Sequence, residues 1–420
     1  MRSRTGSLAA TVLVGSLAAC GGDSLPSPSA IPSPAATRDG RWVQDLDYLS
    51  AELARLHANL FFRTPRADFE RAVEDVRQAV PRLSDAEVVI GIMRIVALVG
   101  DAHTGVQVHD RFHRLPVELT RLADGLYVTA AAPEQVSLLG ARVVAFGERG
   151  VAEMEGEAAQ LVGHENEAWL RVRLPDLLTT AEVVQFLAHE PDRVPLWVDL
   201  ASGGRVAVSL DPVARTPALV NFATATGASV PLYRQRVGEN YWMTALDGTR
   251  TLYVQYNRCQ NGPESFSAFA DRVFRQLDGG AFDRLVVDVR NNSGGDSQVD
   301  DPLFAGLERR PAWRTPGRLF GLIGGETFSS GLWTADDLRK QGATLVGSPT
   351  GGKPNSYGNV RTFPLSNSRI EVSYSTRFFT LAPGADPPSL EPAVPVEVTI
   401  DDLRTGRDPV LEVALRYPGR

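Results

Sequence analysis

Residues 319–347 read LFGLIGGETFSSGLWTADDLRKQGATLVG. The run opens on a short strand that is apolar throughout, turns through Gly324–Ser330, continues as the helix GLWTADDLRKQG and ends on a second apolar strand, ATLVG. Strands of this kind, separated by an amphipathic helix, belong to a parallel sheet covered on both faces. The same grammar extends upstream. TLYVQYN is a strand, and ESFSAFADRVFRQLDGG places Phe266, Phe269, Ala270, Val273, Phe274 and Leu277 on one helical face. RLVVDVR is a further buried strand. From Thr251 onward the order is therefore β, α, β, β, α, β.

In such a sheet ligands collect at the C-terminal strand ends, where loops and helix N-termini converge. Two ends carry chemistry here. After RLVVDV comes Arg290-Asn291-Asn292-Ser293-Gly294-Gly295, whose glycines can leave backbone N–H groups uncovered. After LFGLIGG comes Glu326-Thr327-Phe328-Ser329-Ser330, with Ser329 at the turn and Ser330 near the helix N-terminus. A hydroxyl placed there either caps the helix or stands rigidly exposed beside a positive helix end able to stabilise an oxyanion.

A serine needs a base to act as a nucleophile at neutral pH. Lys353, in the Gly-rich loop VGSPTGGKPNSYG, could serve with a depressed pKa. His103, in VGDAHTG, could serve with almost none. His109 and His113 have the i, i+4 spacing of a metal pair, but their surroundings read as strand and turn, so no metal and no cofactor are expected. Cys259 in YNRCQN reads as a buried, inert thiol.

The remaining sequence sets location and organisation. The chain has 420 residues, a net charge of −7 and 43% hydrophobic residues, which suits a soluble globular protein of two or three domains and argues against nucleic acid as a partner. Arg2 and Arg4 precede a short apolar run ending in Leu17-Ala18-Ala19-Cys20, the pattern of a secretory signal whose cysteine becomes lipidated. Residues 1–19 are then a lipoprotein signal peptide and 20–40 a Pro/Ser-rich tether. Residues 41–104 form a helical cap, with Ser84 as an N-cap and Gly100 closing the third helix. Residues 105–247 alternate strand-like runs with turns around a helical stretch and make a mixed, PDZ-like middle module; 248–420 form the α/β domain.

Taken in order, GDAHTG, LVVDVRNNSGG, GGETFSSG, LVGSPTGGKPNSYG and LEPAVPV resemble the tail-specific, or C-terminal-processing, serine peptidases and the related tricorn core proteases, over about residues 40–420. The resemblance implies a ClpP/crotonase-like αβ superhelix for the last third and an endopeptidase acting on protein or peptide substrates; the N-terminal signal would place it in the cell envelope, held at the membrane by its lipid. It places the nucleophile on Ser329 and the oxyanion donors on the N–H groups of Ser330 and of Gly294 or Gly295. Both of the family's bases have counterparts: Lys353 matches the Ser-Lys branch and His103 the tricorn branch. His103 is preferred, with Asp386 or Glu391 near the position of the acid and Lys353 left to bind substrate. Two other readings stand beside this one. A non-catalytic peptide-binding protein would use a degenerate peptidase fold, and an acyl-CoA enzyme of the crotonase type would share the superhelix, although the secretion signal disfavours cytoplasmic CoA substrates.

Overall fold

A computed structural model describes residues 26–418, apart from 191 and 216–217. Cys20 and the signal peptide lie outside the described residues. The chain opens with the helices Arg38–Leu56, Arg66–Ala79 and Asp85–Ala97. Ser84 and Glu87 close a reciprocal capping box at the third of these. Gly100, at φ +80°, reverses the chain just beyond it. The periodicity of the first helix continues to Phe62, yet the helix stops at His57, which turns extended (φ −69°, ψ 139°). Its side chain is there drawn inward to Asp101, 2.7 Å away. The last part of the expected tether is not free. Tyr48 and Arg55 of the first helix donate to the carbonyls of Ser29 and Ser27, at 2.8 and 2.7 Å, and Ser29 N–H donates to Glu52 at 3.0 Å. Among the described residues no helix is long and apolar enough to cross a membrane.

The middle of the chain forms an antiparallel sheet. Its main path runs Val117–Leu122, Gly125–Ala131, Arg142–Phe146, Leu196–Asp199 and Arg205–Val208. The helices Val151–Ala158, Glu167–Leu177 and Ala181–Ala188 lie within this stretch of the chain. One continuous core joins it to the N-terminal helices: Leu49, Ile92, Val128, Val143 and Leu187 pack in the same buried cluster.

The C-terminal sheet has six strands in the order Val394–Pro395, Thr344–Gly347, Leu319–Ile323, Arg284–Asp288, Thr251–Tyr256, Tyr241–Leu246. All neighbours are parallel except the last pair. The parallel sheet expected from the apolar strands is found, and the helix Phe266–Asp278 buries the six residues that its periodicity singled out. Tyr241–Leu246, grouped by sequence with the middle module, is instead the antiparallel edge of this sheet. A tight hairpin makes it the nearest partner available to Thr251–Tyr256.

After Gly347 the chain does something the sequence did not advertise. The strands Asn355–Pro364 and Glu371–Thr380 form a long hairpin that reaches away from the sheet and pairs with Gly105–Gln107. Its Phe363 and Tyr374 belong to the core of the N-terminal helices. This pairing carries the GDAHTG turn onto the C-terminal domain.

Candidate active site

Ser329 precedes the helix Ser330–Lys340 at the N-cap position, but its side chain caps nothing. Its backbone sits at φ +51°, ψ −127°, a conformation that L-residues avoid. A serine needed only as a cap would have the extended backbone and the side-chain hydrogen bond seen at Ser84 and Ser265. Here strain is stored and no hydrogen bond is gained, which is the signature of a side chain aimed for another purpose. Ser330 is engaged: its hydroxyl donates to the carbonyl of Gly295 at 2.8 Å.

The loop after Asp288 packs directly on this turn. A methyl group on Gly294 (φ +107°) would lie 2.7 Å from Ser329 Cβ and 3.1 Å from its Oγ, so only glycine admits the serine. Asn292 organises the loop. Its carbonyl accepts from Phe328 N–H at 3.0 Å and its Oδ1 from Gly294 N–H at 3.0 Å. The Gly294 N–H is thereby spent, which removes it as an oxyanion donor. The N–H groups of Gly295 and Ser330 make no hydrogen bond among the described residues. Gly331, where the resembled family carries a small Ala or Ser, has its own reason: a Cβ there would meet the Asn292 carbonyl at 2.2 Å. Behind the loop, Arg290 is buried between Asp288 and Asp408, at 2.6 and 2.7 Å, and fixes the strand end. The arginine was quoted within its motif but its role was not foreseen, because Asp408 arrives from more than a hundred residues away.

His103 reaches the site from the other side. Its ring packs against Phe328, the residue before Ser329, with centroids 4.4 Å apart, and Trp169 stacks on the same phenyl ring at 4.1 Å. Both ring nitrogens are buried and neither makes a well-aligned hydrogen bond among the described residues, although the Tyr357 backbone lies close enough to favour the charged ring. Burial lowers its pKa below the usual imidazole value, and the charge of Asp101 offsets part of that effect. His103 thus lies against the residue next to Ser329, and no hydrogen bond joins the two among the described residues; catalytic hydrogen bonds often tighten only when substrate binds.

The other sequence candidates fall elsewhere. Lys353 Nζ is 2.8 Å from the carboxylate of Asp386, so its amine is engaged in an ion pair rather than aimed at Ser329. Asp386 is mostly exposed in that pair and Glu391 is exposed. Neither contacts the imidazole, so the acid expected at these positions is not beside His103. Both come from the long segment after the hairpin, whose path sequence spacing does not reveal. His113 is bound to Glu182 at 2.6 Å. Cys259 is buried, with its thiol pushed up to about 12 by burial and by the charge of Asp300, and it donates to Asn292 Oδ1 at 3.4 Å. It is a structural prop of the glycine loop.

Sequence reasoning passed over Glu165. Its Oε2 accepts Ala102 N–H at 3.0 Å while Oε1 is buried and unpartnered. Burial, with the negative charge of Asp101, raises its pKa to about 8. In the folded protein it holds its proton at pH values where the unfolded chain, near 4.5, has lost it. Stability from this group accordingly falls as pH rises between those values. Glu165→Gln is expected to raise Tm at pH 8 to 9 and to change it little at pH 5, read by thermal denaturation at the two pH values.

This sequence matches no protein-family model and no curated protein. Its fold does match solved structures. Mature CPAF complexed with lactacystin superposes with a TM-score of 0.61, covering 90% of this chain and 97% of that chain at 13% identity. A second structure of mature CPAF gives 0.59, covering 90% and 96% at 14% identity. A photosystem II D1 C-terminal processing protease aligns over 89% of this chain and 99% of that chain, at 14% identity and a TM-score of 0.38. The likeness to CPAF is one of fold, and it runs through the N-terminal helices, the middle sheet and the C-terminal domain together.

Proposed function

We propose that the protein is a serine endopeptidase in which Ser329 is the nucleophile and His103 the general base. The observation that carries this reading is Ser329 itself, strained at φ +51° with its hydroxyl unbonded among the described residues, beside a glycine that leaves room for its Oγ. Substrate binding closes the Ser329–His103 hydrogen bond. Ser329 Oγ then attacks the scissile carbonyl while His103 takes its proton, and the N–H groups of Gly295 and Ser330 receive the oxyanion. His103 passes the proton to the leaving amine, and water, deprotonated by the same imidazole, releases the acyl group.

A fluorophosphonate probe tests the reading: labelling should map to Ser329 and compete with peptide substrate. A chain that is never labelled and binds peptides without cutting them would instead be the non-catalytic binder. The base is tested by pH. Because burial depresses His103, its neutral form persists to lower pH, so kcat/KM should rise with an apparent pKa below the ~6.5 of free imidazole. Lys353→Arg keeps the positive charge and should retain hydrolysis; a lysine base would give a rise well above neutrality and an inactive Lys353→Arg.

The proposed place of action is the cell envelope, through a lipid on Cys20. The Leu17-Ala18-Ala19-Cys20 pattern supports it. Cys20→Ala in a bacterial host should move the protein out of the membrane fraction, and unchanged fractionation with no lipid adduct by mass spectrometry would remove the claim.

A further inference from the structure

We propose that Asp101, backed by His57, is the positioning carboxylate of His103 and the charge that balances its imidazolium, a role that rests on the peptidase reading above. Asp101 is fully buried and accepts five hydrogen bonds. Oδ1 takes the N–H groups of His103 and Thr104, each at 2.8 Å, and the Ser375 hydroxyl at 3.1 Å. Oδ2 takes the Thr104 hydroxyl and His57 Nε2, each at 2.7 Å. One carboxylate therefore ties the end of the first helix, the 101–104 turn and the long hairpin to the backbone of the base itself.

The state of His57 makes this arrangement anionic. Its Nδ1 accepts Asn59 N–H at 3.0 Å, so the ring proton sits on Nε2 and is donated to Asp101 while the imidazole stays neutral. Burial works against the ionised form of Asp101, while the hydrogen bond from His57, the charge that His103 carries once protonated and the hydrogen bond from Thr104 favour it, and its pKa is lowered. A fixed negative charge thus stands under the turn that carries His103. When His103 accepts the serine proton in a site that penalises cations, this charge is what it meets. The groups facing the cluster from other elements are few. Glu165 holds Ala102 N–H, and Arg63 and Lys353 act on Glu165 at longer range. Tyr357 of the hairpin packs on the His57 ring at 5.3 Å. Asp101 is the carboxylate among these that is held ionised.

The decisive measurement is the titration of the His103 imidazole, followed by nitrogen NMR in the Ser329→Ala protein with and without Asp101→Asn. With Asp101→Asn, His103 should protonate at lower pH, because the favourable charge is gone. In the active protein the same substitution should cut kcat/KM about tenfold or more and move the rise of the pH profile in the same direction. A scaffolding role alone would lower activity with the profile unmoved. An unchanged His103 titration, or kcat/KM within about threefold of the parent, would overturn the proposal. Should Asp101→Asn fail to fold, Asp101→Ser, which keeps a small acceptor without the charge, should give the same downward shift; no shift in that variant again overturns it. Absence of fluorophosphonate labelling at Ser329 would sink the peptidase reading and leave the titration still decisive for Asp101.

Discussion

Ser329→Ala is expected to abolish fluorophosphonate labelling and to lower peptide hydrolysis by on the order of 10³-fold or more, with His103→Ala equally inactive and the double variant no worse. The equality follows from mechanism: a hydroxyl without its base, and a base without its hydroxyl, both leave only binding and the oxyanion donors. Stability separates this outcome from damage to the fold. Ser329 makes no side-chain hydrogen bond, so Ser329→Ala should melt near the parent temperature. Ser329→Gly should be as inactive yet melt higher, since glycine adopts φ +51° without strain. If Ser330→Ala were the inactive variant, the nucleophile would be one residue further on, although its hydroxyl is already committed to Gly295.

Gly294→Ala should be nearly as severe for activity and worse for the fold. At φ +107° an alanine is strained by about 1–3 kcal/mol, and its methyl would press on Ser329 Cβ at 2.7 Å. Either the serine turn moves away from His103 or the glycine loop lifts and takes Gly295 N–H from the oxyanion. Both outcomes lower kcat more than they raise KM. Thermal melting and steady-state kinetics on the same sample would check this; a variant with the parent Tm and kcat would show that the loop is not packed on the nucleophile as described.

What the sequence made legible was local. Strands such as LFGLI and the LVV of RLVVDVR can be read because burial on both faces leaves an apolar run, and the helix Phe266–Asp278 because its apolar face repeats at the helical period. The Ser329 turn was legible for the same reason, lying between two readable elements. Contacts made over long separations were not. Asp101 and His57 are 44 residues apart, so neither marks the other in the sequence, and the periodicity of the first helix runs on past the point where His57 ends it. The acid was sought at Asp386 and Glu391 by motif order, but the path after the hairpin turns Asp386 to Lys353. Gly294 was read as a free N–H donor because nothing in NNSGG says that the Asn292 side chain folds back onto it.

If the proposed lipid on Cys20 is present, the docking of Ser27 and Ser29 on the first helix limits how far the folded body stands from the membrane. In the proposed anchored form only the steps from Cys20 to Ser27 separate the lipid from a residue already held by Arg55. Even fully extended, they span about 25 Å. Such a short leash confines the working radius to a thin shell at the bilayer surface. Substrates would have to be delivered to the bilayer surface, and loosening the Ser27 and Ser29 contacts, for example with Tyr48→Phe and Arg55→Ala, would widen that shell without touching the active site.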